Sequence, residues 1–184
     1  MARAETKYAA FFRNVNLGQG INPTRVQLES AFTDAGAASA SSFITSGNVV
    51  FATTSETKAR KVLASAREIL KSLRGLKEPA FLRSLPYLSE LAASDPFTSM
   101  NSHDIYDYSI TFLDVKGLEK LNVPLKSLRG DLEIFRFTNG EALSVSHEID
   151  GKVGNATAFL EKLLDVQVTT RNWNTIVRIV KRFA

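Results

Sequence analysis

The chain contains no cysteine and only two histidines, His103 and His147. The first absence excludes a disulfide framework, a thiolate nucleophile and a cysteine-built zinc site. The second leaves too few imidazoles for a multi-histidine metal centre. His147-Glu148 has no histidine four residues on, so a zincin helix is excluded as well. Neither a metal nor a cofactor is expected. No apolar run approaches the roughly 20 residues of a membrane span, so no membrane partner is expected. The stretch Met1–Lys7 is short and polar, unlike a signal peptide. With the lack of cysteine, it points to a cytoplasmic location. Also missing are a Gly-x-Ser-x-Gly nucleophile elbow, a Walker loop and a dinucleotide fingerprint.

What is present is an ordinary globular composition. The chain has 184 residues, 44% hydrophobic and 23% charged, with a net charge of +4. That permits a polyanionic partner without demanding one. The pattern centres on Phe43–Phe51, two apolar runs hinged at Ser46-Gly47-Asn48, which predicts a β-hairpin with glycine supplying a positive φ. Before it, Lys7–Arg13 reads as a strand, and Asn22-Pro23 starts a helix whose apolar face is Leu28, Ala31, Phe32 and Ala35. After it, Ser55 caps a second helix with Ala59, Val62, Leu63, Ala66, Leu70 and Leu73 on one face, closed by Gly75. Ala80–Arg83 is a fourth strand.

The pattern then repeats. Ser84–Ser94 is a connecting helix, and Ile105–Leu113 alternates, with Tyr106, Tyr108, Ile110 and Phe112 on one face. Val115–Asn122 is a short helix or turn. Leu132–Phe137 and Ala142–His147 form a hairpin around Asn139-Gly140, a type I′ signal. A helix follows on Ala156, Phe159, Leu160, Leu163 and Leu164, then a strand Val166–Thr170. A last helix carries Trp173, Ile176, Val177 and Val180 on one face.

The predicted class is therefore α+β, with two ferredoxin-like β-α-β-β-α-β halves built on antiparallel sheets. The halves are residues 1–84 and 105–184, the latter including the terminal helix. Residues 85–104 form a connecting helix and loop. Strands one and three of each half are expected to be parallel, with their following loops opening on one edge.

Several segments suggest anion chemistry. Gly18-Gln19-Gly20 and Asp150–Asn155 each precede a helix N-terminus, where free N–H groups meet the positive end of a dipole, but neither matches a phosphate-loop spacing and a plain glycine turn is the favoured reading of both. The second helix carries six basic residues against two acidic ones, with Arg60, Arg67, Lys71 and Arg74 stacked on one face. Such a stripe either tracks phosphates or is a solvated face. Thr169–Thr175 combines a helix cap, the only tryptophan, Arg171 and Asn174. Arg binds oxyanions bidentately and Asn both donates and accepts. Arg13, Asn14, Asn16, Arg171 and Asn174 are therefore the candidate ligand-binding residues. The partner expected is an anionic small molecule or nucleic acid.

Phe11–Gly18, Ile44–Phe51 and Thr169–Thr175 resemble segments of the bacterial domain-of-unknown-function family 1697, and the resemblance spans nearly the whole chain. It implies two ferredoxin-like halves and carries no known activity. Two departures stand out. Arg13-Asn14-Val15-Asn16-Leu17-Gly18-Gln19 replaces the family's Arg-Gly-Ile-Asn-Val-Gly-Gly, and Asn155-Ala156-Thr157 stands where the family has Ser-Lys-Leu. The functional expectation is a non-enzymatic binding module for a nucleotide or nucleic acid. The alternatives are an enzyme acting on a small anionic substrate and a protein–protein interaction module.

Overall fold

Alternating and continuous apolar runs become strands, and the 3.6-residue patterns become the helices that cover them. The computed structural model describes residues 4–100 and 103–184. In the first part of the chain, β1 (Thr6–Phe12), α1 (Arg25–Asp34), β2 (Ser39–Phe43), β3 (Asn48–Thr53), α2 (Glu56–Arg74) and β4 (Ala80–Ser84) follow one another. Their sheet runs β2-β3-β1-β4, all neighbours antiparallel. Phe12, Phe32 and Phe51 lie at its centre, with Leu28, Val62, Ala66 and Leu70 from the two helices. Each such side chain contributes about 1.5–3 kcal/mol by leaving water.

Next come α3 (Leu85–Ala93), β5 (Ile105–Phe112), a single 3-10 turn (Leu118–Lys120), β6 (Leu125–Lys126), β7 (Leu132–Phe137), β8 (Glu141–Ile149) and β9 (Lys152–Val153). The chain closes with α4 (Ala156–Leu164), β10 (Thr169–Asn172) and α5 (Trp173–Phe183). The second sheet runs β10-β5-β8-β7-β6, with β9 paired to β8. Ala156 and Leu160 of α4 pack with Leu113, Leu132, Ile134 and Phe137. The chain divides into two compact units, one running to Leu91 and including Ile179–Ala184, the other Ala92–Arg178.

The molecule is thus α+β, with five helices and two antiparallel sheets among the described residues. Several local expectations are corrected. β1 and β3 are antiparallel, as are β5 and β8, so the loops after them leave opposite ends of each sheet. The start of α1 is Thr24: its hydroxyl accepts the Gln27 N–H, and the Gln27 side chain accepts the Thr24 N–H. That Thr-x-x-Gln box outcompetes Asn22-Pro23 as a cap because it satisfies two donors at once. Asn139-Gly140 does not form a type I′ turn, since neither residue has a positive φ. Thr138 holds that hairpin instead, its Oγ1 accepting the Glu141 N–H at 3.0 Å. The left-handed pair is Asp150-Gly151, at φ 52° and 70°, between β8 and β9. On α5, Ile176 and Ile179 are buried while Val177 is exposed. Leu73 and Tyr106, expected on covered faces, are exposed too.

Candidate functional site

The loop after β1 was the first candidate. Asn14 sits at φ 51° and Gly18 at 78°, and the loop folds back so that the Leu17 N–H donates to the Thr45 carbonyl at 2.8 Å. Gly47 makes this docking fit. Its φ is +63°, and a Cβ there would lie 2.7 Å from Val15 Cβ. The Arg13 guanidinium pairs with Glu78 at 2.9 Å, and Asn16 Nδ2 donates to Gln19 Oε1 at 3.0 Å. Arg74, from the last turn of α2, donates to the carbonyls of Gly20, Ile21 and Asn22 at 2.9–3.3 Å. The polar groups of this loop are turned on one another.

The basic stripe on α2 is partly consumed in the same way. Arg60 pairs with Glu56 at 2.6 Å and Lys71 with Glu68 at 3.3 Å. Arg74 serves the loop. The three pairings draw the stripe's charge onto the protein's own acceptors.

In the second unit, Arg171 is buried at 9% exposure. Its Nη1 donates to Thr169 Oγ1 at 2.7 Å and to the Thr170 carbonyl at 2.8 Å. Burial pulls its guanidinium down to about 10, so it remains a cation at neutral pH. It thereby has a structural duty that its sequence context does not announce. The cap of α5 is Asn172, whose Oδ1 accepts the Asn174 N–H at 2.8 Å. Asn172 Nδ2 also donates to Asp107. Trp173 is half-buried, its ring 5.2 Å from that of Phe97.

These placements define where the five expected residues stand. Arg13, Asn14 and Asn16 belong to the first unit, Arg171 and Asn174 to the second. Within the second unit, the antiparallel pairing gathers three other segments at one end of the sheet: the start of β5, the end of β10 and the entry to α4. Between them lies a cleft of about 320 Å³ lined by Asp107, Ser109, Ser146, Asn155, Thr157 and Thr170 among others. Its geometry follows from strand register, because Asp107 faces Ser146, Ser109 faces Ser144, and Thr170 faces Thr111. Partners directly opposite in a sheet share a face, so hydroxyls from β10, β5 and β8 form one strip.

The entry to α4 is held tightly over this strip. Ser146 Oγ donates to the Gly154 carbonyl at 3.1 Å. Gly154 admits no side chain, because a Cβ would meet the Asp131 carbonyl oxygen at 2.1 Å. Asn155 caps the helix, its side chain accepting the Ala158 N–H at 2.9 Å. Thr157 Oγ1 bonds Thr170 Oγ1 at 2.7 Å, and Thr170 Oγ1 bonds Thr111 Oγ1 at 2.8 Å.

Three hydroxyls share two hydrogen bonds. Thr111 is fully buried, and its hydroxyl bonds that of Thr170, where either oxygen can donate. One hydroxyl proton is left over from the chain's own two bonds, and Thr157 and Thr170 both line the cleft. The first-turn N–H groups of Ala156 and Thr157 add two donors that the helix itself leaves unused. In the same cleft, the Asp107 carboxylate accepts from Asn172 and from Ser109, the latter at 3.0 Å.

A second, open cleft of about 550 Å³ brings both histidines together with Asp104, Tyr106 and Glu148. His147 Nδ1 lies 2.9 Å from the Asp104 carbonyl. Since a carbonyl only accepts, Nδ1 carries the proton, and the Nε2 lone pair is free in the neutral ring. Nothing in the sequence joins the two histidines, which are brought together by the register Ile105 to His147. Among the described residues no group of three His, Asp or Glu side chains could hold a metal ion. Among the same residues no helix is long and apolar enough to cross a membrane.

The chain is similar along nearly its whole length to a solved structure, that of the conserved bacterial protein SP0830 from Streptococcus pneumoniae. The identity is 21%, the TM-score 0.62, and the coverage 97% of this chain and 98% of that one, a likeness of fold. No curated protein matches the chain. A family model described as "Protein of unknown function (DUF1697)" matches residues 6–142, which takes in the whole of the first sheet, β5–β7 and the start of β8. The chain belongs to that family of proteins of unknown function, DUF1697.

Proposed function

We propose that this protein is a non-enzymatic binding module for a small ligand with an anionic group, received at the entry to α4. The reading rests on one observation: the entry to α4, a nine-residue helix whose first two N–H groups have no helical partner, lines the cleft together with the Thr157 and Thr170 hydroxyls. A small ligand fits better than nucleic acid, because Arg60, Lys71 and Arg74 of α2 pair with the protein itself and the cleft is at the small end of ligand pockets. Arg171 and Asn174 act here as positioning groups. Arg171 fixes the backbone of Thr170, and Asn174 holds the Asn172 side chain that reaches Asp107. Arg13, Asn14 and Asn16 belong to a separate loop whose polar contacts are internal. We read each sheet, with its order of outer, central, central and outer strands, as ferredoxin-like. In the second unit, a 3-10 turn replaces the first helix and β6 extends the edge.

The test is calorimetric titration of the protein with sodium propionate and inorganic phosphate at low salt. Thr157→Val and Thr170→Val should each weaken binding about tenfold by breaking the hydroxyl chain that positions the donor to a charged group. Absence of binding by both anions at tens of millimolar would reject the reading. Binding that is equally strong in both variants would place the site elsewhere.

A further inference from the structure

The same cleft carries a second pole. Asp107 lines it and accepts hydrogen bonds from two neutral donors, Asn172 and Ser109. Among the described residues no Lys or Arg pairs with this carboxylate, so the cleft that the α4 N-terminus lines also carries a negative charge without a cationic partner there. Each carboxylate oxygen retains acceptor capacity beyond its one bond. Beneath the cleft, on the sheet face that Ser109 and Ser146 share, the Ser144 hydroxyl is fully buried and has no hydrogen-bond partner. Among the described residues, the other buried side-chain atoms without a partner, Thr53 Oγ1 and Arg67 Nε, belong to the first unit, so Ser144 is the one such group in the second.

We propose that the cleft recognises a zwitterion of the amino-acid class. The inference rests on the anion reading above and adds a cationic half to it. The ligand carboxylate takes the N–H groups of Ala156 and Thr157 and the spare hydroxyl proton of the Thr111–Thr170–Thr157 chain. Its ammonium faces Asp107. A purely anionic ligand would meet Asp107 as a like charge, and a purely cationic one would meet the helix N-terminus with the wrong sign. A small ligand bearing both charges satisfies both walls, and about 320 Å³ accommodates a free amino acid.

The deciding comparison is between L-alanine and sodium propionate, which share the carboxylate and chain length and differ by the ammonium group. Calorimetry on the full chain at neutral pH should show L-alanine binding at least tenfold more tightly than propionate. In Asp107→Asn that advantage should vanish, with alanine affinity falling and propionate affinity holding or rising as the like charge is removed. Thr157→Val should weaken both ligands together. Equal affinity of alanine and propionate for the wild type would overturn the zwitterion proposal and leave the anion site standing. Binding of neither would overturn both readings. Tighter binding of ethylamine than of alanine would overturn the proposal by making the ammonium the whole signal. The alanine–propionate comparison needs no variant, so it decides the matter even if Asp107→Asn fails to fold.

Discussion

Residues 13–22 and 150–155 are both glycine-containing junctions that lead from a strand into a helix, and each presents polar side chains beside a helix N-terminus. They end in opposite states. The first closes on itself: Arg13 finds Glu78, Asn16 finds Gln19, and Arg74 collects three carbonyls. The second leaves donors unspent beside a cleft, because the Asn155 side chain satisfies the third residue of α4 and the three hydroxyls share two hydrogen bonds. What separates them is the supply of long polar side chains from neighbouring elements. A guanidinium from α2 reaches the first loop, whereas the second is met by short Ser and Thr hydroxyls, which cannot span the gap.

The largest blow to this contrast should come from Gly154→Ala. A methyl group at 2.1 Å from a backbone oxygen cannot be accommodated by a side-chain rotation, so the α4 entry must lift off Asp131. A loss of about 3 kcal/mol in urea unfolding is expected, at the upper end of overpacking effects. A loss below about 0.5 kcal/mol would show the α4 entry to be loosely held. Arg74→Ala probes the closed junction. It strips three carbonyls of a shared donor at a partly solvated site, and about 1 kcal/mol should be lost. If the melting point does not move, the loop is held by its docking on Thr45 and Gly47 alone.

The smallest effect is a matter of pH. The hydrogen bond from Ser127, followed by the contact with Arg129, holds the buried Asp131 carboxyl below its ordinary value despite burial. A carboxyl whose folded pKa lies below its unfolded one contributes stability above the unfolded value. That contribution is lost as pH falls through the folded one. Melting points should therefore drop in a window beginning near the ordinary Asp pKa of about 4. Asp131→Asn should melt lower than wild type at neutral pH and show a shallower acid decline. Parallel acid limbs for the two proteins would assign the decline to other carboxyls.

Much of this architecture was legible in the sequence, and the reasons are local. The caps at Ser55 and Gly75 act within one helical turn, so the side chains that decide them are adjacent in the chain. The order of the longer elements followed from periodicity, while the two-residue strands β6 and β9 carry no such pattern. Thr24-x-x-Gln27 was equally local, though Asn22-Pro23 masks it. What periodicity does not carry is strand direction and register. A parallel β1–β3 pair would have put different loops together. The antiparallel one seats the first loop on the β2–β3 turn and brings Asp107 beside Ser146. The cleft of the second unit was hidden for that reason, since Ser109, Ser146, Thr157 and Thr170 are common residues with no motif spacing. Arg171 and Asn174 drew notice as chemically distinctive residues. The short hydroxyls around them did not.

Arg74 has a consequence beyond hydrogen-bond satisfaction. The carbonyls it holds lie 52 to 54 residues earlier in the chain. The final turn of α2 therefore works as a latch on a segment far away in sequence. If that turn frays, the loop loses its clasp, and the two open as one cooperative unit although half a domain of chain separates them. A helix end, usually the first part of a helix to yield, is here bound to the fate of a loop that would otherwise move independently.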